Sequence, residues 1–283
     1  MKLFSIIAIG IFAAAIPVFP GQVGQNTPNG YEPGAKVLLY GDKVNVRDQA
    51  SPAGKVTAQL AIGTEVAIIE KDDAKFEQNG YSENWYKVSY KENSGKSGSG
   101  YIWGGLISKT AYTGDILNDG VMDTVLFGVS GFGKESLMFK ARLLQNGKLV
   151  SESPDMPGFQ NVLGMGAGVE YDVLIDLQQK IGFKNPADAI HIVFQYDACD
   201  VLNGEIFLLC DGKKLYYVAT LDSFGNELCS IDYKIVLPAQ GKKETKITVT
   251  KDEELINEET GESELSRVTE VYVWDGKTVK KSK

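Results

Sequence analysis

The chain has 283 residues, with 29 Lys plus Arg against 37 Asp plus Glu and a formal net charge of −8. So acidic a chain lacks the electrostatic footprint that nucleic acid or an anionic membrane surface selects, and neither is expected as a partner. Its three cysteines, Cys199, Cys210 and Cys229, match no zinc spacing, and its single histidine, His191, cannot build a histidine-rich metal centre.

The N-terminus carries Lys2 and then a nearly continuous apolar run, Leu3 to Val18. That run is too short to span a bilayer comfortably and reads as a cleaved secretory leader over residues 1–21. The small residues Ala13, Ala14 and Ala15 lie near its end, and no cysteine is placed there for lipid attachment. The expected location is secreted, in a periplasm or at a cell surface, with no membrane insertion once the leader is gone. Removing Lys2 moves the formal charge from −8 to −9. In an oxidising compartment two of the three cysteines would tend to pair, but spacing does not choose which. Residues 22–35, rich in Gly, Pro, Asn and Gln, read as a linker.

From Lys36 the texture changes to short β-rich runs between turn residues. Lys36–Tyr40 precedes the Gly41-Asp42 turn, and Lys43–Arg47 follows it. A loop at Ser51–Gly54 leads into Lys55–Leu60, and Gly63 precedes the β-branched run Thr64–Ile69. Asp72 to Ser82 reads as a polar loop. Trp85–Tyr90 alternates bulky and polar residues, Glu92–Gly100 reads as a flexible hairpin tip, and Tyr101–Trp103 closes the unit. So few short strands cannot bury a core as an open sheet, and closure into a small barrel over residues 36–109 removes the exposed edges.

Asn45-Val46-Arg47, Gly63-Thr64-Glu65-Val66, Asn84-Trp85-Tyr86-Lys87-Val88 and Gly100-Tyr101-Ile102, in that order and spacing, resemble the bacterial SH3 (SH3b) domain. The resemblance implies an SH3-type barrel that binds, with cell-wall peptide or glycan as the ligand. A protein partner of the cell envelope is the alternative. Trp85, Tyr86, Tyr101 and Trp103 are the candidate ligand-binding residues, because rigid aromatics offer contact area at little entropic cost. Two features depart from the family: a longer loop before Trp85, and Trp103 itself where a small or polar residue is usual.

Residues 110–283 read as a larger antiparallel β domain, sandwich-like, with a propeller-like array as the alternative. Turn dipeptides recur at Asn146-Gly147, Asn203-Gly204, Asp211-Gly212 and Asp275-Gly276. Three of the turns share a frame, their glycines 65 and then 64 residues apart, which fits either a degenerate repeat or hairpins converging on one turn chemistry. Short helices are plausible at Leu177–Ile181 and Pro186–Ala189. Asp252–Glu264, with seven acids and no base, reads as an exposed loop.

The chain as a whole reads as all-β and non-enzymatic. His191 sits in a strand-like run where a polar partner is expected of it, and it has neither a framed nucleophile nor a set of ligands beside it. Asp115, Asp119 and Asp123, with Gly120 at a bend, resemble the first, fifth and ninth places of an aspartate-rich calcium loop. Leu117 stands where the third-place oxygen belongs. The Val121 carbonyl would be a fourth oxygen, and calcium wants six to eight. The expectation is therefore a polar turn with no cofactor, calcium being the one cation the loop could admit.

Overall fold

The computed structural model describes residues 22–23, 30–92, 95–117, 119–134, 136–158, 172–178, 183, 188–195, 203–225, 228–238 and 245–282. The leader at 1–21, linker residues 24–29, Asn118 and Cys199 lie outside them. Among the described residues the protein is all-β, in three antiparallel sheets with one short 3-10 turn at Gly104–Leu106. No helix there is long and apolar enough to cross a membrane.

After β1 (Gln22–Val23), the barrel is formed by β2 (Lys36–Leu38), β3 (Val44–Arg47), β4 (Val56–Leu60), β5 (Glu65–Gln78), β6 (Tyr81–Lys91) and β7 (Ser97–Trp103). Their order across the sheet is β2-β5-β6-β7-β3-β4. Alternation sends Val37, Val46, Val66, Ile68, Tyr86, Val88 and Ile102 to one closed core. Trp85 and Trp103, directly opposite each other on β6 and β7, belong to the other face.

The segment Asp72–Ser82 is not a loop. β5 and β6 run on as a long hairpin and turn at Asn79-Gly80, where φ is +53° and +73°. Asn-Gly suits such a turn because both central residues take left-handed backbone. Ala74 and Phe76 alternate among charged neighbours and pack on the core, an apolar period too sparse to stand out in so polar a run. Likewise β7 starts at Ser97, inside the expected hairpin tip. Gly98 and Gly100 sit there because Tyr90 and Val46 would lie 2.5 and 2.6 Å from an added Cβ. The end of the linker is docked as well. Tyr31 is buried, its ring edge-on to Tyr86 with centroids 5.1 Å apart, and its hydroxyl donates to the Ile107 carbonyl at 3.1 Å.

The second sheet holds β8 (Thr110–Gly114), β9 (Asp123–Phe132), β10 (Leu137–Gln145) and β11 (Lys148–Glu152) in the order β1-β8-β9-β10-β11, with β12 (Met156–Pro157) beside β10. The third sheet is a meander of β13 (Asp172–Gln178), β14 (Asp188–Gln195), β15 (Asn203–Cys210), β16 (Leu215–Gly225), β17 (Cys229–Val236), β18 (Lys246–Ile256), β19 (Ser263–Trp274) and β20 (Val279–Lys281). Phe127 and Phe139 of the second sheet pack on Phe194 of the third, so the two lie face to face. β15 is buried on both sides. Ile206, Leu208 and Cys210 enter the core shared with the second sheet, while Phe207 and Leu209 join a second core with Ile247, Val249 and Trp274.

Several local expectations change. Leu177 lies in β13 and Ala189 in β14 rather than in helices, while Ile181 and Pro186 are outside the described residues. β18 and β19 consume most of Asp252–Glu264, leaving a turn at 257–262, because Arg267 answers Asp252 across the strands at 2.5 and 2.8 Å. Asn146-Gly147, Asp211-Gly212 and Asp275-Gly276 do turn between strands, whereas Asn203-Gly204 opens β15 and pairs with Ser223 and Asp222. One eight-stranded meander, not a set of propeller blades, holds the last two turns.

Candidate functional site

The extended β5–β6 hairpin reaches from the barrel to the second sheet. The Phe132 N–H donates to the Asn79 carbonyl at 2.8 Å, and Gly80 lies against Phe132. Below the arm, Phe76 meets Trp103 edge-on at 5.4 Å, and Trp85 lies 6.2 Å from Phe76. Trp85 and Trp103 thereby join the core of the following sheets, 4 % and 6 % exposed. The Trp103 indole N–H donates to the Glu83 carbonyl at 3.1 Å.

That burial decides what the four expected aromatics can do. Tyr86 follows Trp85 on one strand, so it points the opposite way and is sealed in the barrel core. No ligand on the Trp85 side can touch it. Tyr101 is half-buried opposite Lys87, whose ammonium lies 5.8 Å from its ring. Trp85 and Trp103 keep only edges, and these line a cleft of about 270 Å³ with Asn45, Arg47, Pro52 and Phe76.

A second cleft, about 430 Å³, opens on the other side of Trp103 between the barrel and the second sheet. The two clefts share Asp42, Gln78, Trp103 and Leu106, so they adjoin, and the larger is a trough across the junction. It is lined by Tyr40 and Tyr81 from the barrel side and by Ser130, Lys140, Arg142 and Asp155 from the sheet side. Arg142 stacks over the Tyr40 ring at 4.3 Å, donates to the Tyr40 carbonyl at 2.7 Å and pairs with Glu152 at 3.4 Å. Lys140 pairs with Asp155 at 3.3 Å. The hydroxyls of Tyr40 and Ser130 are buried and have no hydrogen-bond partner among the described residues. Burial pushes the Tyr40 hydroxyl well above the usual tyrosine range, so it remains a neutral donor. No motif marked these positions, because they come together only when the barrel docks.

Behind the trough lies an ion pair. Lys109 donates to Glu83 at 3.1 Å, with side chains 3 % and 7 % exposed, and Tyr81 donates to the same carboxylate at 2.7 Å. Burial alone would raise the Glu83 carboxyl, but the Lys109 charge and the hydrogen bonds from Tyr81 and the Asn84 N–H outweigh it and hold it below the usual value. Lys109, which burial alone would lower, is held well above the lysine range by the oxygens of Tyr31 and Tyr81 and by Glu83.

Residues 42–108 match the family model of the bacterial SH3 domain. This segment is a bacterial SH3 domain. No curated protein and no solved structure matches the chain. The SH3 match covers the barrel except β2, and its two departures from the family now have a place. The longer loop is the docking arm, and Trp103 is the residue the arm covers.

His191, on β14, bonds through Nδ1 to Glu205 at 2.9 Å and lies on the Phe207 ring, 4.6 Å between centroids. The sequence pointed to a polar partner for it, and Glu205 is that partner. Cys210 is a buried free thiol, pushed up to about 12 by burial. Such a thiol is a poor nucleophile.

In the aspartate loop the three carboxylates do converge, offering oxygens within 4.8 Å of one another. Asp115 accepts the N–H groups of Asp119 and Gly120, and Asp119 accepts those of Val121 and the Gln145 amide. Asp123 accepts the Ile116 and Leu117 N–H groups on Oδ2. The Leu117 side chain packs against the core, which explains an apolar residue at the third place.

Proposed function

We propose that this is an exported, non-enzymatic binding protein whose SH3 domain and second sheet together hold a cell-wall peptide or glycan strand. The observation that carries the reading is the trough across the junction, lined by Tyr40 and Tyr81 on one side and Ser130, Lys140, Arg142 and Asp155 on the other. Aromatic faces beside hydroxyl and charged groups suit a ligand rich in amides or hydroxyls. The paired charges of Lys140 with Asp155 and Arg142 with Glu152 leave little net field, which suits a neutral polar backbone better than an anion. The leader-like run Leu3–Val18 supports export.

The test is co-sedimentation of the full chain with purified cell-wall sacculi. Wild type is expected to pellet, and Ser130→Tyr, which fills the trough from a half-buried position, is expected to lose at least tenfold in affinity while melting like wild type. Absence of wild-type binding, or binding indifferent to Ser130→Tyr, would remove the reading. A second reading, a protein partner of the envelope, is favoured by a different surface. Leu255 and Val268 stand 49 % and 50 % exposed on one face of the β18–β19 ribbon.

A further inference from the structure

The aspartate turn between β8 and β9 has a feature that turn geometry leaves unexplained. Asp123 is fully buried, yet its Oδ1 has no hydrogen-bond donor among the described residues. A buried carboxylate oxygen without a donor is among the costliest arrangements in a fold. Here the cost is compounded, because Asp115 and Asp119 bring two more carboxylates to within 4.8 Å. Like charges so close repel unless something positive lies between them.

We propose that Asp115, Asp119 and Asp123 bind a calcium ion, which supplies the missing partner of Asp123 Oδ1. The donor set is oxygen only, which selects a hard cation over zinc or copper. Asp119 is exposed and Asp115 half-exposed, so the open side of the turn admits water ligands. Calcium accepts such a mixed, irregular shell of six to eight oxygens, whereas magnesium requires a near-ideal octahedron. The Leu117 side chain, committed to the core, removes one ligand and sets the affinity in the weak class of extracellular sites. The ion ties the end of β8 to the buried start of β9, and through the Asp119–Gln145 bond to the end of β10.

The experiment uses the full chain freed of metal with a chelator. Flow dialysis with radiolabelled calcium is expected to give one site with a dissociation constant on the order of 0.1–1 mM. The melting midpoint is expected to rise by about 4 °C in 10 mM calcium chloride relative to 10 mM magnesium chloride. Asp119→Asn, which keeps one oxygen to accept the Val121 N–H, should weaken calcium binding at least tenfold and abolish the rise. No bound calcium at 10 mM with identical melts in both salts overturns the proposal, as does a calcium response that Asp119→Asn retains.

Discussion

The inner and outer faces of the β6–β7 hairpin are made of similar residues and live by different rules. On the inner face Tyr86, Val88 and Ile102 close a core that the barrel strands and Tyr31 complete among themselves. On the outer face Trp85 and Trp103 have no such cover from the barrel sheet, and the β5–β6 arm and the following sheets enclose them. The inner face therefore depends on alternation within the barrel, and the outer face on the arm and on the sheets that follow the barrel. An SH3 barrel that keeps two tryptophans on its outer face has become half of a larger core.

The sharpest way to break this comparison is to cut the chain. A fragment of residues 36–109 loses both Tyr31 and the sheets that cover Trp85 and Trp103, and is expected to melt without a cooperative transition when followed by far-UV circular dichroism. A sharp, reversible melt would mean the inner face suffices. In the full chain, Trp103→Ala is expected to cost about 4 kcal/mol by urea unfolding, as much as a truncation in the barrel core. A cost below about 1 kcal/mol would place Trp103 on an ordinary surface.

Next in size is the buried ion pair of Glu83 and Lys109. Glu83→Gln, which leaves Lys109 buried without its counter-charge, is expected to cost about 3 kcal/mol near neutral pH. The pH dependence has a definite sign. The folded Glu83 carboxyl sits below its unfolded value of about 4.3, so its contribution is present above that pH and is lost as the pH falls through the folded value. Wild type should therefore lose stability on acidification from pH 5 downwards faster than Glu83→Gln does, and parallel curves would contradict the assignment. The smallest effect is expected at the rim. Lys36→Ala removes a bridge to Glu65 whose partners are 70 % and 52 % exposed, and should change stability by no more than about 0.5 kcal/mol.

How far each region could be read follows from how it buries its strands. Where barrel strands bury one face, their period shows, as in Val44-Asn45-Val46-Arg47 and in Tyr86 to Tyr90. β15 buries both, and an unbroken run such as Ile206–Cys210 says strand without saying which residue faces which core. The Asn79-Gly80 turn was present in the sequence as a hairpin signal, but the acids and lysines around Ala74 and Phe76 obscured its strands. Of the four candidate aromatics, Trp85 and Tyr86 cannot share one surface, by a rule the sequence already contains. Neighbours on a strand point opposite ways. Tyr40, Ser130, Lys140 and Arg142 carried no signal at all, because what joins them is the docking of two sheets.

The sequence by itself determined the all-β class, the SH3 segment, three of the hairpin turns and the place of the aspartate turn, since each rests on residues near one another in the chain. Only the tertiary structure decided that Trp85 and Trp103 are walls of a shared core, that a trough crosses the junction, and that Asp123 is buried with an unanswered oxygen. Those depend on which surfaces meet, and strand periodicity, which records the face a residue takes, does not record what covers that face.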